Sequence, residues 1–186
     1  SGTLRAGLAL LDVPDLSSSG SAPYPNNSYL GLATQASLTA GLLDGFSLIP
    51  TIGGVLSLDA FATVGMITLP AGGGFQDGST QWGVGANVGL LRESFTTPGL
   101  SFSVALRNLG ETWLGNVGAG DAAEISLDPS VLSVRGTAGK DLLAFGVVAG
   151  VGWDRYQSDA VIGMPALAPS TSPRQTSVDG FTSERL

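Results

Sequence analysis

Residues 143–156, LAFGVVAGVGWDRY, separate into two unlike faces when every second position is taken. Leu143, Phe145, Val147, Ala149, Val151 and Trp153 form one set, all apolar and ending in an aromatic. Ala144, Gly146, Val148, Gly150, Gly152 and Asp154 form the other, mostly small or polar. Side chains of a β-strand alternate between faces with a period of two, so the stretch reads as a strand with a greasy side and a slim side. The greasy side needs either a core or lipid against it.

The same pattern recurs along the chain. Residues 3–11 set Leu4, Ala6, Leu8 and Leu10 against Thr3, Arg5, Gly7 and Ala9. Residues 28–42 set Leu30, Leu32, Ala36, Leu38 and Leu42 against Gly31, Ala33, Gln35, Ser37 and Thr39. Residues 81–92, 100–112 and 131–139 repeat it, and Phe181 begins a further strand. Between them, residues 46–69 carry apolar side chains on even positions for about twice the 9–11 residues that cross a bilayer. Pro50 and Gly53-Gly54 mark either a bulge there or a division into two strands. Asp44-Gly45 has the composition of a tight hairpin turn, and Lys140-Asp141 also reads as a turn.

Composition decides what the greasy sides face. Only 12% of residues are charged, about half the share of a soluble domain, and mean hydropathy is +0.30. Glycine numbers 28, roughly twice average usage, without a collagen period. No apolar run reaches the length of a membrane helix, whereas a transmembrane barrel hides half of every strand from lipid and needs no such run. The fold class expected is therefore all-β, an antiparallel transmembrane β-barrel forming a single domain over residues 1–186, with at least seven strands visible. The chain starts inside a strand-like run, without a signal peptide, and stops without a closing strand. A barrel of eight or more strands, truncated at both ends, is expected.

Connection lengths and aromatics sort by end. Loops near 12–27, 70–80, 113–130 and 158–180 are long; those around Asp44, Thr96 and Lys140 are short. Barrels of this kind have short turns on one side and long loops on the other. Tyr29, Trp82, Trp113, Trp153 and Tyr156 lie beside long loops, and Phe46, Phe95, Phe102 and Phe145 lie beside short turns. Two aromatic girdles at the membrane interfaces are the expectation.

The segments WGVGANVGLLRESF, LSFSVALRNLG and FGVVAGVGWDRYQSD resemble strand–turn–strand segments of Gram-negative outer-membrane β-barrel proteins. The likeness covers most of residues 28–159 and extends, distantly, to long-chain fatty-acid transporter-like barrels, without a ligand-binding motif that aligns. The C-terminal aromatic strand of such barrels is absent from this sequence. The resemblance implies location in a bacterial outer membrane, with the lipid bilayer and lipopolysaccharide as partners and a small or apolar solute in the lumen.

Chemistry is sparse. Histidine and cysteine are absent, which removes Ser-His and Cys-His nucleophile pairs and His/Cys metal sites, so neither an enzyme nor a cofactor is expected. Asp12/Asp15 and Asp121/Glu124 read as solvated loop charge, lacking the oxygen ligands of a calcium site. Gly83-Val84-Gly85 and Gly150-Val151-Gly152 lie inside strands and not before helices, so they read as slim packing and not as a nucleotide loop. A net charge of −7 speaks against nucleic acid. The lumen candidates are Asp59, Asn87, Arg107, Glu111, Arg135 and Asp154, which would either set charge selectivity or pair with one another and fill the barrel. Arg92, at a strand end, reads as an interfacial charge. Passive passage or uptake of a solute is the first functional expectation; a structural or adhesive barrel with a plugged lumen and acidic external loops is the second.

Overall fold

A computed structural model describes residues 1–14, 26–46, 55–70, 74–76, 78–95, 97–142, 145–166 and 172–186. The strands are β1 (Gly2–Pro14), β2 (Asn26–Leu43), β3 (Ser57–Thr68), β4 (Ser79–Leu91), β5 (Gly99–Asn108), β6 (Thr112–Leu114), β7 (Glu124–Leu142), β8 (Phe145–Met164) and β9 (Arg174–Arg185). A 3-10 turn, Val117–Ala119, stands between β6 and β7. The fold is all-β. Eight antiparallel strands in the order β1-β2-β3-β4-β5-β7-β8-β9 form one curled half-barrel sheet, and the short β6 adds to β7 where β5 has ended. Among the described residues β1 and β9 do not pair with each other, so the sheet is open along both edges.

Register fixes which side chains share a face. Leu8 stands opposite Leu32, Leu38 opposite Ala62, Ala62 opposite Val84, Val84 opposite Leu106, Leu106 opposite Leu132, and Val134 opposite Trp153. The greasy sets of successive strands thus merge into one surface, the convex face. The other face carries Ala105, Val131 and Ser133, each at most 5% exposed. Side chains on the inside of a curved sheet converge and cover one another, and those on the outside splay apart. That difference explains how Leu4 (85% exposed) and Val151 (72%) belong to the same sheet as Ser133 (3%).

Several sequence expectations are corrected in detail. Asp44-Gly45 is not a hairpin tip: Gly45 takes a positive φ of 83°, the chain continues, and Phe46 bridges Val55 before β3 begins. The segment 47–54, with Pro50 and Gly53-Gly54, lies outside the described residues, as do Asp15, Thr96, Leu143 and Ala144. Half of the long loop expected at 113–130 is strand, since β6 and the first part of β7 reach into it. Likewise β8 continues to Met164 and β9 begins at Arg174, inside the loop expected at 158–180.

Pro129 lies within β7 without breaking it. Its carbonyl accepts from the Leu109 N–H, so its nitrogen points to the same side, between the end of β5 at Asn108 and the start of β6 at Thr112. A missing N–H costs least where no partner strand runs.

Candidate functional site

The concave face is built row by row across the strands. One row runs Gly41, Asp59, Asn87, Ser103, Arg135, Gly152. The next runs Thr39, Phe61, Gly85, Ala105, Ser133, Asp154, Arg185. A third runs Thr3, Ser37, Thr63, Gly83, Arg107, Val131, Tyr156, Ser183. Five of the lumen candidates, Asp59, Asn87, Arg107, Arg135 and Asp154, therefore share this face. Glu111 does not: it falls between β5 and β6, outside any strand, and is exposed.

Glycine has a definite place in this wall. Each long inward residue tends to have glycine directly across the ladder: Gln81 opposite Gly65, Phe61 opposite Gly85, Arg107 opposite Gly83, Arg135 opposite Gly152, Asp141 opposite Gly146. A Cβ at residue 83 would stand 3.1 Å from Arg107 Cγ, and one at residue 152 would stand 3.1 Å from Arg135 Cγ. The side chains thus lie down along the sheet over bare backbone and do not project straight out from the concave face. This pairing of long with absent side chains accounts for part of the glycine excess. Sequence parity showed the slim face; only register showed what the glycines accommodate.

Electrostatics on the wall centre on Asp154. Arg135 Nη2 approaches Asp154 Oδ2 at 3.6 Å, and Arg185 sits opposite Asp154 on β9 with its guanidinium 5.6 Å from the centre of the Tyr156 ring. Ser133 Oγ and Asp154 Oδ1, on directly opposed residues, are buried without a hydrogen-bond partner among the described residues. Arg185 and Phe61 are inward residues that the sequence reading missed. Parity is their signal, but Arg185 lies in the strand expected from Phe181, to which no face is assigned, and Phe61 in the ambiguous 46–69 run.

The convex face is the counterpart. From Leu4 to Leu10, Leu30 to Leu42, Leu58 to Met66, Trp82 to Val88, Leu100 to Leu106, Leu132 to Ala138 and Phe145 to Trp153, its positions hold no charge. Lys140 borders this band at the short-turn end. At the other end the same face turns polar, with Asp12, Asn108, Asp128, Ser130, Arg155, Gln157 and Asp159. At about 3.3 Å per residue, the stretch from Phe145 to Trp153 covers about 26 Å of strand, or about 20 Å of height at a tilt of about 40°.

Trp82, Phe102, Phe145 and Trp153 lie on the convex side at the ends of this band, and Phe46 is exposed at the short-turn end. Trp113 stands higher, opposite Ser126, which is 2% exposed there. The register corrects two members of the expected girdle. Tyr29 pairs with Leu11 and Tyr156 with Val131, both on the concave side. Proximity to a long loop fixed their height, and parity puts them on the other face.

Among the described residues no cluster of acids fit to hold a metal is present, and no helix is long and apolar enough to cross a membrane. The chain matches no family model, no curated protein and no solved structure. Fold and faces together define its class: an all-β antiparallel half-barrel, compatible with a β-barrel protein.

Proposed function

We propose that this half-barrel is part of the wall of a bacterial outer-membrane β-barrel through which a small solute passes. The observation that carries the reading is the pairing of the two faces. A continuous, charge-free convex band with Leu8 at 68% and Phe145 at 64% exposed is far more apolar surface than a water-facing sheet sustains. Lipid is the partner that removes it from water, and the polar border at Asp12, Asp128 and Arg155 then meets the lipopolysaccharide headgroups. On the opposite side the wall is polar and thin where Arg107 and Arg135 lie over Gly83 and Gly152. That favours a passage over a filled interior. Open strand edges in lipid leave backbone groups unsatisfied at several kcal/mol each, so β1 and β9 are paired in the working barrel.

The plugged-scaffold reading draws on a specific contact, the Arg135–Asp154 ion pair, which withdraws two lumen charges from any solute. Planar-bilayer conductance of the full-length protein, refolded in detergent and checked for heat-modifiable migration, separates the two. Stable conductance steps are expected for the passage. A folded, inserted and silent barrel would favour the scaffold, and a soluble monomer would remove the membrane reading altogether.

A further inference from the structure

We infer that the passage favours anions, and hence that its solute is a small anionic molecule; this rests on the pore reading above. The chain as a whole carries a formal charge of −7, yet the upper half of the concave wall has the opposite sign. Its rows hold Arg5, Arg107, Arg135 and Arg185 against Asp59 and Asp154. The acids that give the chain its net charge lie largely elsewhere. Asp12, Asp128, Asp159 and Glu184 belong to the convex register above the apolar band, and Glu111 and Asp121 to the connection after β5.

Two carboxylates, Asp59 and Asp154, do not balance these four arginines. Asp154 pairs with Arg135 at 3.6 Å, whereas Arg185, its ladder neighbour on β9, holds its guanidinium over the Tyr156 ring. Asp59 occupies the same row as Arg135 but with Asn87 and Ser103 between them, a separation of about 14 Å at about 4.8 Å per strand. Arg107 has Gly83 and Val131 as its ladder neighbours and no carboxylate within ion-pair distance among the described residues. Its stem rests on Gly83, which leaves the guanidinium at the wall surface. A lumen bounded by low-dielectric wall focuses such unbalanced charge, lowering the barrier for anions and raising it for cations. Asp141 opposes this from the short-turn rim, three concave rows below Arg135, with Glu93 beside it.

The test is the reversal potential of the reconstituted full-length protein under a KCl gradient. Chloride preference is expected. Arg107→Glu should lower the chloride-to-potassium permeability ratio several-fold, and Arg135→Glu, which also sets Glu beside Asp154, should lower it further. Arg107→Gln serves where the charge reversal does not fold, as judged by heat-modifiable migration, and should give a smaller shift in the same direction. Potassium preference of the wild-type pore would overturn the inference while leaving the pore standing. Chloride preference that none of these variants moves would overturn the assignment to these arginines. A folded, inserted barrel without conductance would overturn the pore reading and the anion preference with it.

Discussion

Phe61 and Gly85 stand directly opposite each other on the concave face, and the ring of Phe61 occupies the space that a Cβ at residue 85 would need. The carbonyl of Val104, on the next strand, closes the same space from the other side. Gly85→Ala should therefore destabilise the sheet by about 1–3 kcal/mol, the usual cost of overpacking. In a Phe61→Ala background the same change should cost less, by a coupling of about 0.5 kcal/mol or more, because only the Val104 carbonyl remains in the way. Denaturant midpoints of the four proteins in one detergent measure it.

Lys140 ties the β4–β5 connection to the start of the β7–β8 hairpin. Its ammonium donates to the carbonyls of Ser94, Phe95 and Thr97, and Glu93 accepts from the Asp141 N–H. Lys140→Met keeps the apolar stem and removes these charged hydrogen bonds, worth about 1.5–3 kcal/mol apiece at most. Hydrogen exchange around residues 92–98 should speed up, while exchange in the middle of β7 stays as it was.

Asp128 and Asp159 are directly opposed across the β7–β8 ladder above the apolar band. Asp159 Oδ1 accepts from the Gly180 N–H at 2.8 Å, and Asp128 Oδ1 accepts from Asn108 Nδ2 at 3.4 Å. Opposed like charges destabilise a ladder by about 0.2–1 kcal/mol. Asp128→Asn should raise the denaturant midpoint at low salt, and the gain should shrink as added salt screens the repulsion in the wild type.

Much of this was legible in the sequence because strand parity is local. Trp82, Val84, Ala86 and Val88 announce a face without reference to any other strand. Register is not local. That Phe61 lies over Gly85, or that Arg185 meets Asp154, follows from how distant segments align, and no periodicity within one strand encodes it. Turn composition misled at Asp44-Gly45, where the positive φ of Gly45 serves a bend inside a longer connection. Pro129 is the opposite case: proline disfavours a paired strand, but here its nitrogen falls in the gap between β5 and β6. Tyr29 and Tyr156 were placed by height alone, although their parity already assigned them inward.

The two faces should respond differently to the same new charge. Val84 is a convex residue in the middle of the band, and Ser37 is a concave one on β2. In a bilayer Val84→Lys should cost about 2–4 kcal/mol, the range for a lysine at the bilayer midplane, whereas Ser37→Lys should cost under about 1 kcal/mol. Unfolding of the reconstituted protein compares the pair directly; equal costs would argue against a lipid-facing convex side.

The proposed barrel wall requires the alternation along β8 to be an alternation between lipid and lumen. The chain has no cysteine, so a spin label at any single engineered cysteine reports one position. Labels at Val147→Cys, Val148→Cys, Ala149→Cys, Gly150→Cys, Val151→Cys and Gly152→Cys in the reconstituted protein would be probed with oxygen, which concentrates in lipid, and with a water-soluble paramagnetic reagent. Oxygen should dominate at 147, 149 and 151 and the aqueous reagent at 148, 150 and 152, in strict period two. Ready access of the aqueous reagent to 147 and 151, or protection of all six positions from both probes, would contradict the account.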